Sequence, residues 1–307
     1  LTPRLFREVA RSDIVFVQDA APIGSAAVLA AQLHRVPVCA FCHHDERVML
    51  SEVFGAAPLT DSYVRRLYER CTKVLFATSR FRAKLERLGV PEGKMVYAPF
   101  AVDTEQFSPS ADDGWRGQWS IPEDAPMALY LGRLSKEKNI STLLDAAELV
   151  LDERGDSYFV VAGTGPLLDE CIERARDNER LVITGFVQDA AQVYAAADVF
   201  VMPSLNESQC FAAMEAMASG LACVLPYEPP SPYSYLADGK NCVMVRNVLD
   251  AKEVARKVVE LFEPQLRTRI GTQARRTMLS FSWDDHIRIL EDTFRKAISK
   301  EAPRSIL

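Results

Sequence analysis

Short apolar stretches alternate with helix-forming segments along most of this chain. In its first third the pattern predicts strands at residues 13–17, 36–41, 73–77 and 94–98, and helices at 3–10, 23–33, 48–54, 61–70 and 79–88. Strands that alternate with helices are typical of an α/β domain with a parallel sheet. Because the chain opens on a helix, we expect an N-terminal piece of this first domain to be missing.

The same alternation returns after residue 126. The pattern predicts strands at 127–131, 158–162, 181–184, 199–202 and 222–225, and helices from Ser141 onward, at 212–218, at 251–262 and at 283–297. Between the two halves, residues 99–126 are rich in Pro, Asp, Ser and Gly, which indicates a connection. We therefore predict a partial first domain at 1–108, a linker at 109–125, a second domain at 126–282 and a terminal helix at 283–307.

The most informative stretch lies at residues 199–225, where an apolar strand, a polar turn, a helix and a second strand follow one another. Gly220 suits the left-handed end of that helix. In parallel sheets, ligands bind beyond the carboxyl ends of the strands, where helix N-termini present free N–H groups. We expect Glu207 and the amides of residues 209–211 to face a ligand, with Glu215 about two helical turns further along.

Two carboxylates invite comparison with a hydrolase. On one helix, Glu207 and Glu215 would lie about 12 Å apart, beyond the roughly 5 to 9.5 Å of a glycosidase pair. That spacing fits the two ends of an elongated ligand better. Glutamates are usually solvated surface residues, but Glu215 lies within the apolar run AAMEAMA, where a carboxylate needs a partner.

Two further turns carry candidate chemistry. The strand at 127–131 runs into Gly132 and Arg133, with Lys138 five residues later. Glycine permits close backbone approach, arginine offers a planar fork and lysine a point charge, which suits a diphosphate at a helix N-terminus. The strand at 158–162 ends in Gly163-Thr-Gly165-Pro. A dinucleotide fold would require a third glycine where Leu168 stands, which argues against NAD.

Four segments resemble the signature of the retaining, family-four (group 1) glycosyltransferases. They are E-x7-E at 207–215 followed by A-M-A-S-G, G-R-L-x-x-x-K at 132–138, G-x-G-P at 163–166, and V-D-x-x-x-F followed by Pro at 102–109. The resemblance extends from Asp13 to the end of the chain. It implies the GT-B fold, with two Rossmann-like α/β domains, parallel sheets flanked by helices, and here an incomplete first domain. It also implies transfer of a sugar from a nucleotide-diphosphate donor to an acceptor hydroxyl, on a lipid or a saccharide, with retention at the anomeric carbon.

The resemblance also implies residue roles. Arg133 and Lys138 would offset the charge that develops on the departing diphosphate. Glu207 would orient hydroxyls of the transferred sugar, and Glu215 would accept hydrogen bonds from the ribose. Phe186 stands in the turn that borders the nucleobase in this family, although an aromatic residue after a strand is equally typical of a core. The other donor-binding positions are Gly132, Gly163, Gly165, Gln209, Cys210 and Phe211.

One candidate comes from the first domain. His43 occupies the place where relatives carry a histidine close to the sugar, and Asp45 is an acceptor-side candidate. The sequence contains no D-x-D, so we expect no metal bridge to the diphosphate and no cofactor. Arg133, Lys138 and helix dipoles would then bear the phosphate charge.

Composition narrows the partners and the location. A net charge of -6 and a pI near 5.4 do not indicate nucleic acid. Neither a signal peptide nor a membrane-spanning run is evident, which predicts a cytoplasmic protein. Basic residues concentrate between Arg65 and Lys94. They read as a solvated face or, alternatively, as a peripheral contact with the anionic inner face of a membrane.

Two alternative functions stay open. Cys39-Ala-Phe-Cys42-His43 fits a C-x-x-C-H haem motif and could also suggest zinc, but it lies in an apolar strand and no second ligand pair follows. Seven scattered cysteines indicate reduced thiols instead. The other alternative is a truncated remnant that binds a nucleotide sugar without turnover.

Overall fold

The structure is a computed structural model that describes residues 3–18, 22–43, 57–110, 114–205, 207, 210–227 and 235–301. The chain divides into two compact units. The first is formed by Leu1–Phe100 and Trp283–Leu307, and the second by Ala101–Ser231 and Tyr235–Ser282. Each unit contains one parallel sheet, which confirms the predicted α/β class.

The first unit begins with an alternation of helices and strands. Its elements are α1 (Pro3–Ala10), β1 (Val15–Val17), α2 (Pro22–His34), β2 (Val38–Cys42), α3 (Ala57–Glu69), β3 (Lys73–Phe76), α4 (Ser79–Arg87) and β4 (Met95–Tyr97). The strands lie in the order β1-β2-β3-β4. The helix predicted at 48–54 lies outside the described residues.

The second unit is larger. Its elements are α5 (Trp115–Gln118), β5 (Met127–Leu131), α6 (Ile140–Glu153), β6 (Tyr158–Ala162), α7 (Leu168–Ala175), β7 (Leu181–Gly185), α8 (Ala190–Ala196), β8 (Val199–Val201), α9 (Phe211–Ala218), β9 (Ala222–Pro226), β10 (Val243–Val245), α10 (Ala251–Leu261) and α11 (Pro264–Met278). The last helix, α12 (Trp283–Glu301), returns to the first unit, where Leu290 and Phe294 pack against a core layer that contains Phe41 and Leu75.

Strand order in the second sheet decides where a ligand can bind. The order is β10-β9-β8-β5-β6-β7. The chain builds outward from β5 through β6 to β7, then returns to the other side of β5 for β8, β9 and β10. Such a reversal leaves a crevice at the carboxyl ends of the strands, between the loops that follow β5 and β8.

Most bounds lie within two residues of the predicted ones, but α3 begins four residues before the predicted helix at 61–70 and α12 ends four residues after the one at 283–297. Strands β5 and β6 begin and end as predicted. Helix α6 begins at Ile140, because Asn139, at φ 58°, replaces Ser141 as the capping residue after a 3-10 turn at Lys136–Lys138. Helix α11 was not predicted. Two of the four residues in its buried stripe of Ile270, Gly271, Ala274 and Met278 are small, which weakens the apolar signal.

The segment between the two halves packs within the second unit. Helix α5 buries Trp115 and Arg116. The Arg116 guanidinium forms an ion pair with Asp198 at 3.0 Å, and it donates to the backbone carbonyls of Ala196, Pro122, Glu123 and Ala125. A buried guanidinium with this many acceptors is well satisfied. These bonds hold residues 115–125 against the amino ends of β5 and β8, which begin just after Ala125 and Asp198.

Candidate active site

Apart from Phe211 and Glu215, which lie on α9, the described donor-site candidates lie in loops at the carboxyl edge of the second sheet. Gly132, Arg133 and Lys138 follow β5, and Gly163 and Gly165 follow β6. Phe186 follows β7, while Glu207 and Cys210 follow β8 and precede α9. Their placement follows from topology, because the carboxyl ends of parallel strands meet at one edge.

Hydrogen bonds fix the loop after β5 and leave the Arg133 side chain exposed. The Tyr130 hydroxyl donates to the Arg133 carbonyl at 2.8 Å, and Ser135 donates to Glu137 at 2.6 Å. The serine hydrogen bond, with smaller contributions from Arg133 and Lys138, lowers the pKa of Glu137. Within the described residues, the Arg133 guanidinium forms no ion pair or hydrogen bond. The fixed backbone therefore presents a planar cation to solvent.

The loops after β5 and β6 touch through two glycines. The Gly132 amide donates to the Ala162 carbonyl at 3.0 Å, and Leu134 donates to Thr164 at 2.9 Å. A Cβ atom at Gly163, whose φ is 137°, would collide with the Gly132 carbonyl oxygen. A Cβ at Gly165 would meet the Leu134 carbonyl in the same way. These glycines are required for contact between the loops, which gives G-x-G-P a packing reason.

The touching loops form one wall of a cavity of about 490 Å³. It is lined by Leu131, Gly132, Arg133, Gly163, Thr164, Gly165, Phe186 and Val187. Phe186 is 78% exposed and so does not belong to the core. An exposed aromatic ring beside an arginine offers a planar ligand both a stacking face and a charge.

Lys138 and Glu207 form an ion pair. Lys138 Nζ lies 2.5 Å from Glu207 Oε1, and the side chains are 23% and 11% exposed. Two hydrogen bonds hold the loops together, because the Leu205 amide donates to the Glu137 carbonyl at 2.9 Å and the Asn139 side chain donates to the Pro203 carbonyl at 3.1 Å. An ammonium group has three hydrogens to donate. Lys138 can therefore keep Glu207 and still bind a second anion.

Helix α9 begins at a strained residue. Cys210 is its N-cap and adopts a left-handed conformation, at φ 44° and ψ 45°. Burial raises the pKa of the Cys210 thiol well above its usual range, and the charges of Glu207, Lys138 and Glu215 also act on it. Gln209, whose amide is a predicted ligand contact, lies outside the described residues.

Glu215 has the partner that its apolar surroundings require. The Tyr194 hydroxyl donates to Glu215 Oε2 at 3.0 Å. Burial raises the pKa of Glu215, and the tyrosine hydrogen bond acts against that rise. Sequence reasoning did not find Tyr194, because a tyrosine in the apolar run AAQVYAA reads as a core residue. Its hydroxyl, which needs a partner when buried, is the only signal.

Two family models together match most of this chain. A family model described as Glycosyltransferase Family 4 matches residues 1–106, and one described as Glycosyl transferases group 1 matches residues 125–264. The chain belongs to the group 1 glycosyltransferases of the GT-B fold. Membership makes it a glycosyltransferase whose donor is a nucleotide sugar.

Individual relatives support the assignment. A GDP-mannose-dependent alpha-mannosyltransferase of Mycolicibacterium smegmatis is 29% identical over 88% of this chain and 70% of its own length. A UDP-Gal:alpha-D-GlcNAc-diphosphoundecaprenol alpha-1,3-galactosyltransferase of Escherichia coli is 28% identical over 54% of this chain and 42% of its own length. Anabaena HepE in complex with UDP has a TM-score of 0.79 at 16% identity and covers 96% of this chain and 81% of its own.

The first unit of this glycosyltransferase carries His43 at the carboxyl end of β2. Its Nε2–H donates to the Gln18 carbonyl at 2.5 Å, just after β1. A carbonyl only accepts, so this bond fixes the proton on Nε2. The ring also meets Phe41 edge-on at 5.5 Å. Asp45, the acceptor-side candidate, lies outside the described residues.

The structure argues against a haem or zinc site at Cys39 and Cys42. Both thiols are fully buried on β2. Cys39 belongs to the core layer that contains Phe41 and Leu75, whereas Cys42 belongs to the layer on the opposite face of the sheet. Burial also raises the pKa of Cys39 to about 11. Two thiols on opposite faces cannot hold one metal or one haem edge.

Several basic side chains of Arg65–Lys94 bond within the first unit of the glycosyltransferase. Arg65 pairs with Glu69 at 2.8 Å, and Arg82 pairs with Glu86 at 2.9 Å. Such exposed pairs contribute little to stability. Contact of this segment with an anionic membrane stays a prediction. No helix in the described part of the chain is long and apolar enough to cross a membrane.

Proposed function

We propose that this glycosyltransferase moves a sugar from a nucleoside-diphosphate donor to a hydroxyl of a lipid or saccharide acceptor, with retention at the anomeric carbon. In this reaction the bond between the anomeric carbon and the diphosphate oxygen breaks, a bond to the acceptor oxygen forms, and the acceptor hydroxyl loses its proton. The departing diphosphate gains negative charge, which the site must offset.

The observation that carries the proposal is the cavity where the loops after β5 and β6 meet. It combines one exposed guanidinium, at Arg133, with one exposed aromatic ring, at Phe186. The ring suits a nucleobase and the guanidinium suits a phosphate. Lys138, on the same loop as Arg133, adds a second cation next to Glu207.

The remaining roles follow from this placement of the diphosphate. Glu207 orients hydroxyls of the transferred sugar, because it shares Lys138 with the phosphates. Glu215 accepts from the ribose hydroxyls. The N-terminal amides of α9 add positive potential toward the phosphates. The family resemblance, and not this placement, assigns His43 to the sugar and Asp45 to the acceptor side.

The names of the relatives guide the choice of substrates. Relatives are named for GDP-mannose and UDP-galactose donors, and a 23% identical relative in Acholeplasma laidlawii is an alpha-monoglucosyldiacylglycerol synthase. A thermal-shift screen of the chain with UDP-, GDP- and ADP-sugars identifies the donor. A ligand at a hundred times its Kd stabilises the fold by about 2.7 kcal/mol. We expect transfer without added metal, so EDTA should leave it unchanged.

The decisive variant is Arg133→Ala, tested with the donor that the screen selects. Loss of a cation at the developing charge should lower kcat/KM for transfer at least about a hundredfold. Lys136→Ala is the matched control, since Lys136 is an exposed cation on the same loop outside the cavity. Equal activity of both variants would refute the placement of the diphosphate.

A further inference from the structure

Tyr194 lies outside every motif that the sequence singles out. It belongs to α8 and is fully buried, yet it carries a polar hydroxyl into the core. That hydroxyl donates to Glu215 Oε2 at 3.0 Å. Because burial of a hydroxyl without a partner is costly, the bond ties α8 to α9 at the predicted ribose-binding carboxylate.

The tyrosine ring is held from two sides. Phe107 meets it edge-on at a centroid distance of 5.9 Å, and Phe200 does so at 5.8 Å. Its helix is also anchored, since Asp189 caps α8 by accepting from the amides of Ala191 and Gln192. Edge-to-face contacts and a capped helix leave the ring one orientation. The hydroxyl is therefore fixed before any ligand arrives.

A fixed hydroxyl determines how Glu215 is presented. In the described part of the chain, Tyr194 is the one side chain that hydrogen bonds to this carboxylate, and only Oε2 is engaged. Oε1 accepts no hydrogen bond from those residues. One oxygen is thus anchored in the core while the other remains available to a ligand.

The pKa of Glu215 depends on its hydrogen bond with the tyrosine. Burial raises the pKa of Glu215, and the Tyr194 hydrogen bond lowers it. The other titratable groups on the elements packed around it are Cys210, Cys223 and Arg275, together with Lys138 in the loop after β5 and Glu207 in the loop before α9. Arg275 donates to the Ala218 carbonyl and Lys138 to Glu207, so neither cation bonds to Glu215. The pKa of Tyr194 lies well above its usual range, so its hydroxyl keeps its proton.

We propose that Tyr194 is a positioning residue for donor binding, which fixes one oxygen of Glu215 and aims the other at the ribose hydroxyls of the nucleotide. The proposal rests on the assignment of Glu215 to the ribose. Tyr194 itself touches no substrate. Phe107, in the V-D-x-x-x-F segment, then contributes to nucleotide binding through the tyrosine ring.

The test is Tyr194→Phe, which removes the hydroxyl and keeps the ring. The full chain is titrated by calorimetry between pH 5 and pH 8 with whichever of UDP, GDP and ADP binds the unmodified chain most tightly. We expect Tyr194→Phe to lose about tenfold in nucleotide affinity at pH 7.5, because the variant lacks one hydrogen bond to a charged group. Because the tyrosine lowers the pKa of Glu215, its loss should raise that pKa. As the pH falls, the variant should therefore lose nucleotide affinity at a higher pH than the unmodified chain does.

Two further variants separate positioning from stability. Tyr194→Phe should have no additional effect in a Glu215→Gln background, because the tyrosine acts only through that carboxylate. Tyr68→Phe removes another buried tyrosine hydroxyl, in the first unit, and controls for general loss of stability. It should change the melting temperature without moving the pH dependence of binding.

Each other outcome overturns a defined claim. If Glu215→Gln weakens binding while Tyr194→Phe binds normally at every pH, the positioning role is wrong and the proposed function stands. Should Glu215→Gln bind normally, the ribose assignment fails and the tyrosine role with it. If none of the three nucleotides binds, the proposed function itself is wrong.

Discussion

The two glutamates of the E-x7-E stretch meet different partners in the same structure. Glu207 lies in the loop before α9 and forms an ion pair with Lys138 at 2.5 Å. Glu215 lies within α9 and receives a neutral hydroxyl from Tyr194 at 3.0 Å. One carboxylate shares a cation that a phosphate would also attract, while the other accepts from a neutral group. This difference supports the proposal that the motif has two separate functions, one at the sugar and one at the nucleoside.

The largest expected effect comes from removing the cation. Lys138→Ala should lower kcat/KM for transfer about a hundredfold to a thousandfold, because the leaving diphosphate loses one of its two positive side chains. The variant also removes the ion pair of Glu207, which is only 11% exposed. Steady-state kinetics with the selected donor measure the loss, and Lys138→Arg, which keeps the charge, should recover part of it. Near-normal turnover by Lys138→Ala would contradict the claim that Lys138 offsets the charge on the leaving diphosphate.

Glu207→Gln should show a smaller effect that is confined to the sugar. Transfer should fall about tenfold to a hundredfold, because the amide keeps the shape of the side chain and loses its charge. Binding of the nucleoside diphosphate alone should be retained or slightly tighter, since Lys138 loses a competing anion. Calorimetry and kinetics on the same sample separate the two. A Glu207→Gln variant that loses nucleoside diphosphate binding would place this residue at the wrong end of the ligand.

Glu215→Gln should give the opposite result. Binding of the nucleoside diphosphate should weaken about tenfold, while kcat at saturating donor changes little. Since burial raises the pKa of Glu215, the unmodified chain should lose affinity on acidification at a higher pH than an ordinary carboxyl group would cause. Full affinity is expected above that raised pKa. The variant should lack this acid dependence, and its persistence in Glu215→Gln would assign it to another group.

The smallest effect on catalysis is expected from a substitution where the loops after β5 and β6 touch. Gly163→Ala places a Cβ against the Gly132 carbonyl, so the loops after β5 and β6 must move apart. We expect a loss of about 1 to 3 kcal/mol in unfolding free energy and a severalfold rise in donor KM. Gly155→Ala is the matched control, because nothing lies within 4 Å of a Cβ there. Equal stability of the two variants would show that the loop contact has no role.

Sequence patterns predicted the fold better than they predicted the contacts within it. Strands β5 and β6 are continuous apolar runs between clear turn residues, so their bounds could be read directly. Helix α11 was missed because its buried stripe contains Gly271 and Ala274, which are too small to give a strong apolar period. The cap at Asn139 was missed because left-handed asparagine depends on bonds to the distant carbonyls of Pro203 and Val248.

The sequence predicted which loops form the candidate site, but it did not predict which side chains pair within it. Glycines and charges after β5, β6 and β8 indicated a ligand edge, because parallel strands bring such loops together. The sequence could not show that Lys138 meets Glu207, since 69 positions separate them. Nor could it reveal Tyr194, whose hydroxyl finds Glu215 only when α8 packs beside α9.

A crystal structure of the chain with its preferred nucleoside diphosphate would test the central claim most directly. We expect the diphosphate within hydrogen-bonding distance, roughly 3 Å, of Arg133 and Lys138. The base should lie against Phe186, and the ribose hydroxyls should contact Glu215. A nucleotide bound elsewhere on the chain, or bound in the cavity with the ribose turned away from Glu215, would contradict the account.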